Sequence, residues 1–212
     1  MPGLHCRAIL FDLDGVLVDS RVSVERQWSL WAERHGLDLA RILAIAHGRR
    51  SEDVIGAVAP ALDAEAEAQL VNDAETRDLE AVVAVAGARE LVRQLPPERW
   101  AIVTSGNRSL AEARLRHIGV PIPACLITAD DVSIGKPDPA GYLAAAACLR
   151  VAPRDCVVIE DAPSGIEAAR AAGMSVIAVT TTFPADELGG ADFVVDSLSS
   201  VRFDGIRVLL GP

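Results

Sequence analysis

The stretch Ala8-Ile9-Leu10-Phe11-Asp12-Leu13-Asp14-Gly15 decides the reading of this chain. Four apolar residues in a row, with no polar alternation, suit a strand buried on both faces of a parallel sheet. Two acids two apart follow at once, so two carboxylates arrive at the mouth of that strand, and Gly15 lets the chain turn away sharply. A carboxylate there can attack phosphorus and form an acyl-phosphate, dividing one hard step into two. A second carboxyl beside it can protonate the departing oxygen and later deprotonate water. Taken alone, an acid pair after a strand is more often a turn or a helix cap.

Working outward, similar apolar runs recur at Ala101-Ile102-Val103, Cys125-Leu126-Ile127, Cys156-Val157-Val158-Ile159, Val176-Ile177-Ala178-Val179 and Phe193-Val194-Val195. Helical patterns separate most of them, at Ser109 to His117, Pro139 to Leu149 and Pro163 to Ala172. Pro139 and Pro163 suit first turns, and Gly119 and Gly173 suit C-terminal stops. Strands alternating with helices predict a doubly wound α/β core with a parallel sheet. From Asp19 to Ala86 the rhythm breaks. No buried strand is evident there; four amphipathic helices are, at Val22 to His35, Leu39 to Ala46, Ser51 to Val58 and Asp63 to Arg77. Trp28 and Trp31, three apart, are expected to pack inside this unit, with a substrate-stacking face as the alternative. The expected organisation is a core of residues 1–18 and 87–212 interrupted by a helical cap of residues 19–86.

Three more segments carry chemistry, each at or just after a predicted strand end, the edge where open α/β sheets bind ligands. Val103-Thr104-Ser105-Gly106-Asn107 opens a helix, and a hydroxyl with free backbone N–H groups there forms a phosphate seat. In Gly135-Lys136-Pro137-Asp138-Pro139, Lys136 can hold the nucleophile's carboxylate and neutralise charge on a transferring phosphoryl group. It is the only lysine in the chain. Ile159-Glu160-Asp161-Ala162 ends another strand with two adjacent acids. With Asp12 these would set several carboxylates around one point, where they repel unless a hard cation intervenes. Mg²⁺ fits a site of few carboxylates, water and substrate phosphate. Each segment alone passes for a cap or a turn; four of them in this order, all at strand ends, do not.

Composition narrows the field. Half of the 212 residues are apolar and the formal charge is −10, enough for a sizeable core and contrary to non-specific binding of nucleic acid or anionic membranes. The same charge means that an anionic substrate needs local cations. No apolar run approaches the ~20 residues that span a bilayer, and the first residues show no basic segment leading into an apolar one. Cys6, Cys125, Cys148 and Cys156 show no C-x-x-C pairing and fall mostly in apolar runs, so buried free thiols in a cytoplasmic protein are expected.

Asp12-x-Asp14-Gly15, Thr104, Lys136 and Glu160-Asp161 resemble the four motifs of the haloacid dehalogenase superfamily of phosphotransferases, and the helical insert after the first motif resembles that family's cap. Within it, Glu98-Arg99-Trp100-Ala101 leading to Thr104-Ser105-Gly106, Ile127-Thr128-Ala129-Asp130-Asp131-Val132 leading to Gly135-Lys136-Pro137, and His47-Gly48-Arg49-Arg50-Ser51-Glu52-Asp53 resemble the glycerol-3-phosphate and 2-deoxyglucose-6-phosphate phosphatases. The resemblance implies Asp12 as nucleophile and magnesium ligand. It makes Asp14 the acid/base, binding metal through its carbonyl, and has Glu160 and Asp161 complete the metal site. Thr104, Ser105 and Gly106 would seat the phosphate, with Asn107 beside it and Lys136 balancing charge. His47, Arg50 and Asp53 are the cap residues expected to meet the substrate, a small sugar or polyol phosphate, in a monomeric enzyme. β-Phosphoglucomutase shares Asp12-Leu13-Asp14-Gly15-Val16 and Asp19, but Val24 stands where that family has a cap histidine and the cap lacks a lysine. Those departures favour hydrolysis. The lysine-free cap also disfavours Schiff-base phosphonatases, and Asp14 disfavours dehalogenases. A non-catalytic phosphate-binding protein would be expected to have lost Asp12 or Asp14.

Overall fold

The computed structural model describes residues 3–205 and 207–211. The chain runs through β1 (Gly3–His5), β2 (Ala8–Phe11) and β3 (Val18–Asp19), then four helices, α1 (Arg21–His35), α2 (Leu39–Ala46), α3 (Ser51–Val58) and α4 (Ala64–Arg77). It returns through β4 (Val83–Ala84) and α5 (Ala88–Arg93) to β5 (Trp100–Val103), α6 (Arg108–Ile118), β6 (Leu126–Ile127), α7 (Ala140–Leu149), β7 (Cys156–Glu160), α8 (Pro163–Ala171), β8 (Ser175–Val179) and β9 (Phe193–Val195). It ends in β10 (Val201–Phe203) and β11 (Arg207–Leu210).

The continuous apolar runs form one six-stranded sheet, ordered β6-β5-β2-β7-β8-β9 and parallel throughout. Successive side chains of a strand face opposite sides. Ile9 and Phe11 therefore join Ile102, Ile159, Leu91 and Leu115 under α5 and α6, while Ala8 and Leu10 join Ala101, Val158, Ala145 and Ala168 under α7 and α8. The second face is built largely of alanine, so α7 and α8 lie close to the sheet. The strand order reverses direction at β2, whose neighbours are β5 and β7. A crevice opens beyond the carboxyl ends of the strands at such a reversal, and Asp12 stands at that point.

Between β3 and β4 the chain makes its helical excursion. These two strands pair antiparallel, Val18 opposite Ala84 and Asp19 opposite Val83, forming a two-stranded neck beneath the four helices. The helices have their own apolar cluster, with Trp28, Trp31, Ile42, Val54, Ile55 and Val71 buried. Trp28 and Trp31 meet edge to face at 5.5 Å, and the Trp31 indole N–H donates to Glu67 at 2.8 Å. That satisfies the polar end of a buried indole.

One feature departs from the expectations. Cys125 and Cys148 are joined in a disulfide, their Cα atoms 6.0 Å apart, and Cys148 is exposed near the end of α7. They are neither free nor both buried. Residues 23 apart meet because α7 packs on β6, an approach that local spacing does not report. Cys6 and Cys156 are free and buried, but the cytoplasmic expectation loses the support it drew from four free thiols. Near the end of the chain β11 pairs antiparallel with both β1 and β10 in a separate three-stranded sheet. Among the described residues, no helix is long and apolar enough to cross a membrane.

Candidate active site

Asp12 leaves β2 still in the ladder: its N–H donates to Ile159 O at 3.0 Å, which sets it beside the end of β7 and its two acids. Carboxylate oxygens of Asp12, Glu160 and Asp161 all lie within 4.8 Å of one another, and the three residues are buried. Lys136 Nζ sits among them. It donates to Asp12 Oδ1 at 2.5 Å, to Glu160 Oε1 at 2.6 Å and to Val103 O at 3.3 Å, and lies 5.1 Å from the centre of the Tyr142 ring. Tyr142, on α7, donates its hydroxyl to Glu160 Oε1 at 2.7 Å, while Glu160 Oε2 accepts from the N–H groups of Asp161 and Ala162. Both oxygens of Glu160 are thus committed to holding the loop and the lysine, whereas Asp12 spends only one of its two on Lys136.

The electrostatics follow from three buried acids sharing one buried cation. Burial pushes the Asp12 carboxyl up to about 8; Lys136 opposes the rise, and Glu160 and Asp14 add to it. Burial raises Asp161 well above the carboxylate range, with Glu160 and Asp12 adding and Lys136 among the opposing contacts. Lys136 is held well above its ordinary value despite burial, by Asp12 first and then Glu160. The cluster is short of positive charge, and its donors are all hard oxygens. A small divalent ion suits that set, drawing on Asp12, Asp161 and a backbone carbonyl, with Glu160 behind them. Gly15 makes room for the Asp161 carboxylate. With φ at +81° it adopts a left-handed turn, and a Cβ there would sit 1.8 Å from Asp161 Oδ2 and 2.7 Å from Thr182 Oγ1.

Asp14 is the partly exposed acid of the group. Its Oδ1 accepts from Ser20 Oγ at 2.7 Å and from Arg114 Nη1 at 2.8 Å. It lines a small cavity of about 80 Å³ between the sheet edge and the helical insert. Asp12, Gly15, Thr104, Ser105, Gly106 and Asp161 border the same cavity from below. From above come Arg21, Val24, Trp28, His47, Gly48, Arg49, Ser51, Asn72 and Glu75. Thr104 N–H donates to Ile127 O at 2.9 Å, which keeps β5 in register up to the seat.

Each residue singled out in the sequence can now be placed. Asp12, Asp14, Thr104, Ser105, Gly106, Asp161 and His47 line the cavity; Lys136 and Glu160 lie behind Asp12. Burial lowers the pKa of His47. Arg50 and Asp53 do not border the cavity. They form a two-pronged ion pair at 2.7 and 2.8 Å, and Arg50 reaches Ser133 O at 3.3 Å, bracing the insert against the loop before Lys136. Asn107 caps α6, its side chain accepting from Leu110 N–H at 2.9 Å. Ser105 Oγ donates to Gly48 O at 2.9 Å, a second tie between core and insert.

The sequence reading passed over Arg114, Glu75, Ser20 and Tyr142. Arg114 had a signal: it falls four residues after Leu110 and four before Ile118, on the inward stripe of α6, where a charge has to find a partner. Glu75 likewise follows Val71 by four.

The sequence model for haloacid dehalogenase-like hydrolases matches residues 6–173. The chain belongs to this family. Over 93% of its length the hydrolase is 41% identical to hexitol phosphatase A of Escherichia coli K12, covering 94% of that protein. Over 94% of its length it is 39% identical to the validoxylamine A 7'-phosphate phosphatase of Streptomyces hygroscopicus subsp. limoneus, covering 98% of that protein. A solved hydrolase from Pseudomonas syringae superposes with a TM-score of 0.82 at 28% identity, over 91% of this chain and 94% of that one. With such relatives along nearly its whole length, this hydrolase is a phosphatase, a phosphomonoester hydrolase.

Proposed function

We propose that the protein is a Mg²⁺-dependent phosphatase of small sugar or polyol phosphates, acting through an aspartyl-phosphate on Asp12. The observation that carries this is the meeting of Asp12, Glu160 and Asp161 within 4.8 Å around a single lysine. When bound, Mg²⁺ screens carboxylate from phosphate and makes the ionised form of the buried acids accessible. Lys136 holds Asp12 Oδ1 and leaves Oδ2 for attack. The Thr104 hydroxyl and the backbone N–H groups of Ser105 and Gly106 seat the phosphoryl oxygens. In the first step an Asp12 oxygen bonds to phosphorus as the P–O bond to the sugar breaks, and Asp14 gives its proton to the departing alkoxide. In the second, water attacks phosphorus and loses a proton to Asp14, releasing inorganic phosphate and restoring the Asp12 carboxylate.

The substrate class rests on the relatives' names and on the upper wall of the cavity. Asn72, Ser51 and His47 offer hydrogen bonds to hydroxyl groups in a space of about 80 Å³. Arg49 borders it without an ion pair among the described residues, a local cation for an anionic substrate in an acidic protein. Val24 on this wall supplies no acid or base, which agrees with hydrolysis over a mutase reaction. Residues 19–86 act as a cap over a core of 1–18 and 87–212, closing on a monomeric enzyme during the first step.

The test is phosphate release from a panel of sugar and polyol phosphates, with and without Mg²⁺, alongside Asp12→Asn. Turnover should require the metal and all but vanish in the variant while its melting transition persists. Half of the wild-type rate in Asp12→Asn would end the proposal.

A further inference from the structure

Arg114 is an arginine only 2% exposed, and its charge is shared between two carboxylates from different parts of the fold. Nη1 donates to Asp14 Oδ1 in the core at 2.8 Å; Nη2 donates to Glu75 Oε2, on α4 of the helical insert, at 2.6 Å. Glu75 is itself only 4% exposed, and Arg114 Nε has no partner among the described residues. A guanidinium taken out of water is tolerated only where carboxylates meet it, and its forked geometry lets it serve two at once. Both hydrogen bonds to Asp14 fall on Oδ1, so Oδ2 is the oxygen left for the substrate among the described residues.

We propose that Arg114 is a positioning residue and Glu75 its anchor on the insert: docking α4 over the core is what holds Asp14 in the pose for proton transfer. With Glu75 in place the guanidinium divides its attraction between the two acids. With α4 lifted, Arg114 has Asp14 alone, draws it closer and takes it out of alignment with the leaving oxygen. The proposal rests on the acid/base role assigned to Asp14 above.

Glu75→Gln tests it without touching any group that meets the reacting atoms. The readout is kcat/KM, which reports steps up to leaving-group departure, for two probes. Glycerol phosphate has an alkoxide leaving group that needs a proton; p-nitrophenyl phosphate has one that leaves unaided. The expected fall is about 10- to 100-fold for glycerol phosphate, part of what general acid catalysis supplies, and less than about threefold for p-nitrophenyl phosphate. Glu75→Asp, which restores the charge, should recover most of the loss. Should Glu75→Gln fail to fold, Arg114→Lys replaces it. That variant keeps one buried cation but cannot fork to both acids, and the same selective loss is expected. Equal losses on both probes, or none, in a folded variant would overturn the inference while the phosphatase reading stands. A wild-type protein that releases phosphate from no member of the panel with Mg²⁺ present would end the proposed function, and the inference with it.

Discussion

Replacing Lys136 by methionine removes one cation from a buried cluster and leaves Asp12 and Glu160 facing each other. The ammonium now makes two charge-assisted hydrogen bonds, at 2.5 and 2.6 Å. Hydrogen bonds to charged groups contribute about 1.5–3 kcal/mol each, and removing one partner of a buried pair costs about 3–5 kcal/mol. Both routes lead to a loss of about 4 kcal/mol in the metal-free protein near pH 8, or roughly 8–16 °C in melting temperature at this chain length. The loss should depend on pH with a definite sign. Lys136, its pKa raised, stays charged through its ordinary range and above, while the Asp12 carboxyl, pushed up to about 8, gives up its proton as pH climbs through that value, so the charge pairing between them is strongest at the upper end. In the variant Asp12 relieves the repulsion by keeping its proton, which is easier at the lower end. The destabilisation should therefore be smallest near pH 6 and grow towards pH 9. Chemical denaturation at several pH values, without metal, reads this directly. A loss below about 1 kcal/mol, or one that shrinks as pH rises, would refute the charge balance argued for this cluster.

Magnesium should stabilise the wild-type protein more as pH rises. The Asp12 carboxyl, about 8 when folded against 3.8 as its ordinary value, keeps a proton in the native state that the unfolded chain gives up. That contribution is full at low pH and is lost as pH climbs through about 8, so metal binding has least to displace there; melting curves with and without saturating Mg²⁺ at about pH 5 and about pH 8 compare the two. Reducing the Cys125–Cys148 disulfide, whose residues lie 23 apart, should cost about 3 kcal/mol by loop-closure entropy, read by melting with and without reductant. Thiol titration of the denatured, unreduced protein should find two free thiols, Cys6 and Cys156. In Asp12→Asn, a normal melt without turnover separates the nucleophile's role from its place in the fold.

Much of the core was legible because its signals are local. A strand buried on both faces has to be continuously apolar, and Ala8–Phe11, Trp100–Val103, Cys156–Glu160 and Ser175–Val179 all lie where such runs were read. The acids at their ends were legible for the same reason: each follows its strand directly, so sheet order alone carries Asp12 to Glu160 and Asp161. The short pairings were not. The strands β3 and β4 are two residues each, and β1 and β11 pair across almost the whole chain; too few residues are involved for a periodicity to show.

The chain by itself determined the parallel core, the helical insert and the four motifs, since each depends on residues adjacent in sequence or one helical turn apart. Only the tertiary structure decided which side chains share a charge or a bond across elements. Arg114 joins Asp14 to Glu75, Tyr142 holds Glu160, Arg50 turns to Asp53 and away from the cavity, and Cys125 finds Cys148. Those partnerships are set by how helices pack over the sheet, a matter of distances between residues far apart in the chain, and neither composition nor spacing records such distances.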